Sequence, residues 1–338
     1  MTINDIARLA GTSKSTVSRV LTDNPNVNEK TRQRVLDVIQ KYQYRPNSIA
    51  RGLVKGGMQI IAVIVPNFRN PFYSEVIWFI ERELFKLGYH MFLYCSNNDT
   101  EKERACLEMT FQYNFAGVII ISPIMQAYLQ EHADSLGCPV LLLNRYIDQF
   151  SGDILTVDNF QAAYVATRHL IELGHQKIAI LAADPEAYTH KDRRSGFLHA
   201  LSSYQLTLPE SFDCVGDLTM DGGYHVGEQL LSMKKNGPTA VFCTSDMMAL
   251  GLIQAYRNAD KKIPEDLSIV GFDDISIASL NGISLTTMQQ PYEQIGIQAA
   301  RMILKRIQNQ KLPQQKVILD CKLIVRNSTA APEPAHEM

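Results

Sequence analysis

The apolar positions of this chain follow two rhythms: one every three to four residues over the first 45 positions, and one of short continuous runs beyond residue 58. In the first region Ile6, Ala7, Leu9 and Ala10 make the apolar set of a short helix, Ile3 to Ala10, which Thr2 opens three residues before Asp5 in a capping-box arrangement. Gly11-Thr12 leaves room only for a sharp corner. A second short helix follows in Ser13-Lys14-Ser15-Thr16-Val17-Ser18-Arg19-Val20-Leu21. Val17, Val20 and Leu21 bury one side, and Lys14, Ser15, Ser18 and Arg19 keep their hydrogen-bonding heads on the other. Asn28 is the expected N-cap of a third helix, whose stripe of Val35, Val38, Ile39 and Tyr42 closes a three-helix core.

The second rhythm begins with Ile60-Ile61-Ala62-Val63-Ile64-Val65, a continuous run of the kind buried on both faces of a parallel sheet. Helix Tyr73 to Leu87, strand Met91 to Tyr94, helix Glu101 to Asn114, strand Gly117 to Ile121, helix Met125 to Leu136 and strand Val140 to Leu143 complete one unit. After Asp158 the pattern restarts. Helix Phe160 to Leu173, strand Ile178 to Leu181, helices Arg193 to Tyr204 and Gly222 to Met233, strand Ala240 to Cys243, helix Asp246 to Asn258 and strand Leu267 to Phe272 make a second unit. The expected fold class is an N-terminal all-α helix-turn-helix headpiece followed by an α/β core of two doubly wound parallel-sheet subdomains.

Between the two regions lies Tyr44-Arg45-Pro46-Asn47-Ser48-Ile49-Ala50-Arg51-Gly52-Leu53-Val54-Lys55-Gly56-Gly57. Pro46 ends the third helix, Asn47 is placed to cap another, and two glycines stop it after about two turns, too short to hold a helix alone in water. A linker that orders on a partner surface is the natural reading. Charge points the same way. Residues 1–56 carry ten Lys and Arg against four acids, net +6; the whole chain is −2, so the remaining 282 residues carry −8. A basic head suits a segment that meets phosphates, and two short helices about a glycine corner form the unit that presents side chains to the DNA major groove.

The rest of the composition excludes more than it selects. With 338 residues, 46% apolar and 20% charged, the chain reads as an ordinary globular protein of two or three domains. No N-terminal stretch resembles a signal peptide and no run reaches transmembrane length, so a cytoplasmic protein with no membrane partner is expected. The six cysteines are scattered without a CxxC pair and read mostly as buried, reduced thiols. From Asn327 the tail reads as disordered, with a domain boundary drawn at 331–338. No GxxxxGK[ST], GxSxG or strand-following GxGxxG is present, and the eight histidines are dispersed. No enzyme, cofactor or metal is therefore expected, and an α/β enzyme acting on a sugar is the disfavoured alternative.

Ligands of doubly wound units sit beyond the carboxyl ends of strands, and two such units facing one another make a cleft. The residues at those ends are Pro66 to Tyr73, Asn144-Arg145, Asp184 to Arg193, Ser245-Asp246, Asp273-Asp274 and Gln289-Gln290. Rings, amides, an arginine and carboxylates together suit a polyhydroxylated ligand, although each residue alone is equally well a cap or turn residue.

From Thr2 to Lys55 the chain resembles the headpiece and hinge of the lactose/galactose repressor (LacI–GalR) family. Its body resembles that family's effector core, itself similar to periplasmic sugar-binding proteins. The motifs that carry this include Asn70-Pro71-Phe72-Tyr73, Asp192-Arg193-Arg194-Ser195-Gly196-Phe197, Asp246-Met247-Met248-Ala249-Leu250-Gly251, Val270-Gly271-Phe272-Asp273-Asp274 and Leu285 to Pro291. The resemblance implies a DNA-facing set of Thr2, Ser13, Lys14, Ser15, Thr16, Ser18, Arg19, Asn26, Asn47, Ala50, Leu53 and Lys55. Leu53 is either the minor-groove wedge of that family or a leucine packed on the next domain. It implies effector contacts at Phe72, Tyr73, Asn144, Arg193, Ser245, Asp273 and Gln290. Ser245 stands where many sugar-responsive members have Asn, and Leu218 stands where some stack an aromatic ring.

The implied organisation is a headpiece 1–45, a hinge 46–57 and a core 58–330. The core divides into one subdomain of about 58–157 with 288–319 and another of about 158–287 with 320–330. The implied activity is that of a regulator, most simply a repressor of carbohydrate-utilisation genes. It would bind a palindromic double-stranded operator as a homodimer, switched by a small sugar-like effector; a purine or phosphoprotein corepressor is the alternative. A tail without leucine heptads argues for a dimer rather than a tail-mediated tetramer.

Overall fold

A computed structural model describes residues 1–21, 23–44, 58–132, 137–147, 150–183 and 188–332, leaving aside the side chains of Phe111 and Tyr188. The expected hinge with Asn47, Ala50, Leu53 and Lys55 lies outside the described residues, as do residues 333–338 of the tail. Packing divides the chain into two units, one of Met1–Gln59 with Tyr113–Phe115 and the other of Ile60–Gln112 with Ala116–Met338.

The N-terminal unit holds three helices, α1 (Ile3–Leu9), α2 (Lys14–Leu21) and α3 (Glu29–Lys41). The Thr2–Asp5 capping box is present: the Thr2 hydroxyl accepts from the Asp5 N–H, and the Asp5 carboxylate accepts from the Thr2 N–H. Gly11 turns the corner at φ +60°, a conformation glycine adopts without a Cβ penalty. Asn28 caps α3 by accepting from the Lys30 N–H. Ile6, Ala7, Ala10, Val17, Val20 and Val35 form the small core. Leu9 and Tyr42 differ from expectation, each 43% exposed. A core of three such short helices has room for one apolar row per helix, and these two residues flank that row.

The core is two six-stranded sheets. The first contains β1 (Met58–Val65), β2 (His90–Cys95), β3 (Phe115–Ile121), β4 (Val140–Leu143), β5 (Asp153–Val157) and β11 (Lys316–Leu319), in the order β11-β5-β4-β3-β1-β2. The second contains β6 (Ile178–Ala182), β7 (Asp213–Val215), β8 (Ala240–Cys243), β9 (Ser268–Asp273), β10 (Thr286–Gln289) and β12 (Lys322–Ile324), in the order β12-β10-β9-β8-β6-β7. Pairing is parallel in the central strands, and β12 runs antiparallel to β10 at the edge. β4 and β8 are buried at every position, as helices on both faces of a parallel sheet require.

The chain passes between the sheets three times: at Asp158, at Gln290-Pro291 and at Asp320-Cys321. Met288 and Gln289 pair with Phe272 and Asp273, so they belong to the second sheet and not to the first subdomain, where 288–319 was expected. The tail is the other correction. Far from being disordered from Asn327 on, residues 327–332 are laid along the second sheet. The Ser328 hydroxyl donates to the Ile269 carbonyl and accepts from the Thr286 N–H, and a His175 ring nitrogen meets the Ala330 carbonyl at 2.9 Å. Polar side chains fix this segment, which is why an apolar period did not reveal it. Among the described residues no helix is long and apolar enough to cross a membrane.

Candidate functional site

In the N-terminal unit, α2 leaves Lys14, Ser15 and Arg19 exposed while Val17 and Val20 face the core. The Ser13 hydroxyl meets Ser15 at 2.8 Å and Thr16 at 2.9 Å and accepts from the Thr16 N–H, closing the start of the helix. Arg32 of α3 reaches back to Asp23 and to the Asn24 carbonyl, fixing the loop that carries exposed Asn26. The helix therefore offers a cation on its first turn and another on its last, with short hydroxyls between, on a surface held rigidly by its neighbours.

In the core, the strand ends converge. The helix Pro71–Lys86 starts in the way its sequence dictates: Asn70 accepts from the Phe72 N–H, and Pro71 fits the first helical position. That start places Phe72 and Tyr73 at its tip, ring centroids 5.1 Å apart and edge to face. The Tyr73 hydroxyl hydrogen-bonds Ser122, which also accepts from the Asn144 amide at 2.9 Å. The Asn144 Oδ1 atom is buried with no hydrogen-bond partner among the described residues.

From the second lobe, buried Arg193 lies 3.5 Å from the centroid of the Phe272 ring. It donates to Asn159 Oδ1 at 2.8 Å and to the Thr244 carbonyl at 2.6 Å. Asp273 accepts from Gln290 Nε2 at 2.8 Å, and the Ser245 hydroxyl stands 3.5 Å from its other oxygen. Ser245 also caps the helix Asp246–Asn258.

Several of these residues sit in backbone conformations that L side chains avoid: Ser122 at φ +52°, Asn144 at +63° and Asp273 at +120°. Strain of this kind costs about 1–3 kcal/mol per residue and survives where it aims a group at a ligand. The electrostatics are those of a dry site. Burial pushes the Asp273 carboxyl up to about 6 despite the nearby Arg193, Gln290 and Ser245. Burial, then the charge of Asp273, holds Asp246 well above the usual carboxylate range. Burial, then Arg193 and Arg145, drives His190 down to about 3, so its ring is neutral near pH 7.

All seven expected core residues fall around this cleft, though with different duties. Phe72, Tyr73, Asn144, Arg193, Asp273 and Gln290 face its interior network, and Ser245 divides its hydroxyl between a helix cap and Asp273. Asp274, also at a strand end, is absorbed structurally by Arg326 and Gln289. The sequence reading did not single out Ser122, Asn159, Thr244, Thr287 or Tyr292. Thr287 donates to Asp246, whose carboxylate fits only because Gly271 has no Cβ, and the Tyr292 hydroxyl donates to the Asp273 carbonyl. Position was the available signal, since Thr244 directly follows β8 and Asn159 directly follows the first crossing. Among the described residues no group of His, Cys, Asp and Glu could hold a metal ion.

Comparison with known proteins agrees with this geometry. Residues 2–47 match the bacterial regulatory proteins of the lacI family, and residues 167–329 match a periplasmic binding protein-like domain. The chain is 30% identical over 331 residues to the HTH-type transcriptional repressor PurR of Mannheimia succiniciproducens, covering 97% of this chain and 98% of that one. A lac repressor dimer bound to operator and the anti-inducer ONPF matches at 26% identity and TM-score 0.85, over 98% of this chain and 99% of that one. A LacI family transcriptional regulator from Enterococcus faecium with bound ribose matches at 30% identity and TM-score 0.73, over 80% and 99%. The PurR and lac repressor likenesses run the length of both chains and join a helix-turn-helix to a two-lobed core, an arrangement of regulators and not of enzymes: the protein belongs to the LacI family of DNA-binding transcriptional regulators.

Proposed function

We propose that the protein is a cytoplasmic homodimer that represses carbohydrate-utilisation genes from a near-palindromic operator and is switched by a small sugar in the core cleft. Ser13, Lys14, Ser15, Thr16, Ser18, Arg19 and Asn26, with Thr2 at the first helix start, are the headpiece (1–45) contacts of this reading. Asn47, Ala50, Leu53 and Lys55 of the segment 46–57 enter it only through the family resemblance. The core, 58–330, supplies Phe72, Tyr73, Asn144, Arg193, Ser245, Asp273 and Gln290 to the effector.

The observation that carries the effector half is the Asn144 Oδ1 atom. It is a buried acceptor with no partner among the described residues, on a residue held at φ +63°, in a cleft otherwise rich in satisfied polar groups. A buried unpaired acceptor costs about 1–3 kcal/mol, and a ligand hydroxyl relieves it. The ribose bound by the Enterococcus faecium relative supports a sugar over other chemistries. A ligand that prefers one arrangement of the lobes by a few kcal/mol is sufficient to couple cleft and operator.

The test is a thermal-shift screen of monosaccharides, sugar phosphates and nucleobases on the full chain, followed by operator binding with each hit. A sugar that raises the melting temperature and changes operator affinity supports the reading. Stabilisation by nucleobases alone transfers the cleft to a purine corepressor.

A further inference from the structure

The helix Thr100–Gln112 turns Cys106, Leu107 and Thr110 into the first lobe, and Glu103 with them. The helical period assigns that position to an apolar side chain, yet the glutamate there is 2% exposed. Burial raises its carboxyl above the ordinary value, opposed first by the N–H groups of Met125 and Ile124 and then by the charge of Arg145. An acid on an otherwise apolar face is costly to bury, and its contacts show what it does there.

Glu103 holds the segment that leaves β3. Its Oε1 atom accepts from the Ile124 and Met125 N–H groups, each at 3.1 Å, at the entry to the helix Gln126–His132. Pro123, next before them, has its φ fixed by its ring, and its carbonyl accepts from Arg145 Nη1 at 2.6 Å. Between these pinned residues and β3 stands Ser122 at φ +52°. A serine keeps such a conformation only while the chain is held on both sides of it. On one side its own N–H donates to the Leu143 carbonyl of β4, and on the other side Glu103 is the anchor. The Ser122 hydroxyl in turn accepts from Asn144 Nδ2 at 2.9 Å, which leaves the Oδ1 end of that amide to meet a ligand.

We infer that Glu103 is a positioning residue of the effector site: by holding the Ile124 and Met125 N–H groups it keeps Ser122 in place, and Ser122 keeps the Asn144 acceptor turned to the effector. This rests on the reading of Asn144 as an effector contact and deepens it. The hydrogen bonds of Glu103 go to the main chain of residues 124 and 125, so it acts through them and not by contact. The consequence is selectivity. With the amide fixed by Ser122, the effector group at Asn144 must be a donor such as a hydroxyl, and without Glu103 the amide is free to turn.

Two measurements on the full chain separate this role from a merely structural one. The first needs no ligand. The side-chain amide resonances of Asn144, identified by their loss in Asn144→Ala, should exchange with solvent about fivefold or more faster in Glu103→Gln, as the Ser122 bond loosens. Glu103→Asp, which keeps the charge but withdraws it by one methylene, gives the same test where Glu103→Gln fails to fold. The second is calorimetry with D-ribose, D-glucose, glucose 6-phosphate and hypoxanthine. Whichever of these binds should do so about tenfold more weakly in Glu103→Gln. Added to Asn144→Ala, the same substitution should cost nothing further, because its effect passes through Asn144. Unchanged amide exchange, or a loss of equal size in both backgrounds, overturns the inference and leaves Asn144 an effector contact. Binding indifferent to Asn144→Ala instead removes the effector role of Asn144, and this inference with it. Should none of the four compounds bind, the amide exchange decides by itself, accelerated in favour of the inference and unchanged against it.

Discussion

Arg193 is the residue on which the cleft is centred, and its neighbours show how a charge is kept in a dry interior. Desolvation lowers its affinity for its proton, while the Phe272 face, the Asn159 amide oxygen and the Thr244 carbonyl replace lost water. Asp273, opposite in sign, is raised to about 6 from an ordinary 3.8. The folded chain therefore holds that proton over a window in which the unfolded chain has released it. This group favours folding at low pH, and its contribution is lost as pH rises through about 6. An effector hydroxyl donating to the ionised carboxylate competes with the proton, so effector affinity should rise between pH 5 and 7. Calorimetry at several pH values checks this, and an affinity that falls over the range removes Asp273 from direct contact. Asp273→Ala should abolish the response to effector and leave operator affinity intact. In the headpiece, Arg19→Ala should reduce discrimination between operator and altered sites by about 1–3 kcal/mol. Unchanged sequence preference in a competition binding assay would contradict its placement on the reading face.

At the level of elements, the helices about the second sheet are packed backbone to backbone. A Cβ on Gly251 would lie 1.9 Å from the Met220 carbonyl oxygen, and one on Gly223 would lie 2.1 Å from that of Met248. Gly251→Ala should therefore lower core stability by about 1–3 kcal/mol through forced separation of the helices Met220–Ser232 and Asp246–Asn258. A melting temperature equal to that of the unaltered chain would show that the two helices yield freely. The same elements show what the sequence discloses. Long apolar runs such as Ile60 to Val65 and Ala240 to Cys243 were legible, because a strand covered on both faces must be apolar throughout. Short or edge strands were not: β7 has three residues, β11 alternates exposed and half-buried positions, and neither carries a run. The helix Tyr292–Gln308 passed unread although its apolar residues are spaced helically. At the site, family motifs pointed to Phe72, Arg193, Asp273 and Gln290, while Ser122 and Asn159 act through side-chain hydrogen bonds that no periodicity encodes.

For the molecule as a whole, the distribution of exposed apolar surface matters most. The helix Pro71–Lys86 buries Val76, Ile80 and Leu84 but leaves Trp78 55% and Phe85 65% exposed, with Arg82 stacked over the Trp78 and Phe79 rings. Aromatic and arginine side chains grouped in this way mark interfaces between proteins. Trp78→Ala with Phe85→Ala should weaken self-association by about tenfold or more in sedimentation equilibrium. An unaltered dimer constant would place the subunit contact on another face. The three passages of the chain between the sheets carry a different consequence. Neither lobe is encoded by one uninterrupted stretch: the first needs the helix Tyr292–Gln308 and β11 from beyond the second, and the second needs β12 and residues 327–332. A nascent polypeptide emerging from the ribosome cannot complete the earlier lobe before the later one has been synthesised, so the two must mature together, and a product terminated near residue 158 should be caught by proteases rather than persist as a half-receptor.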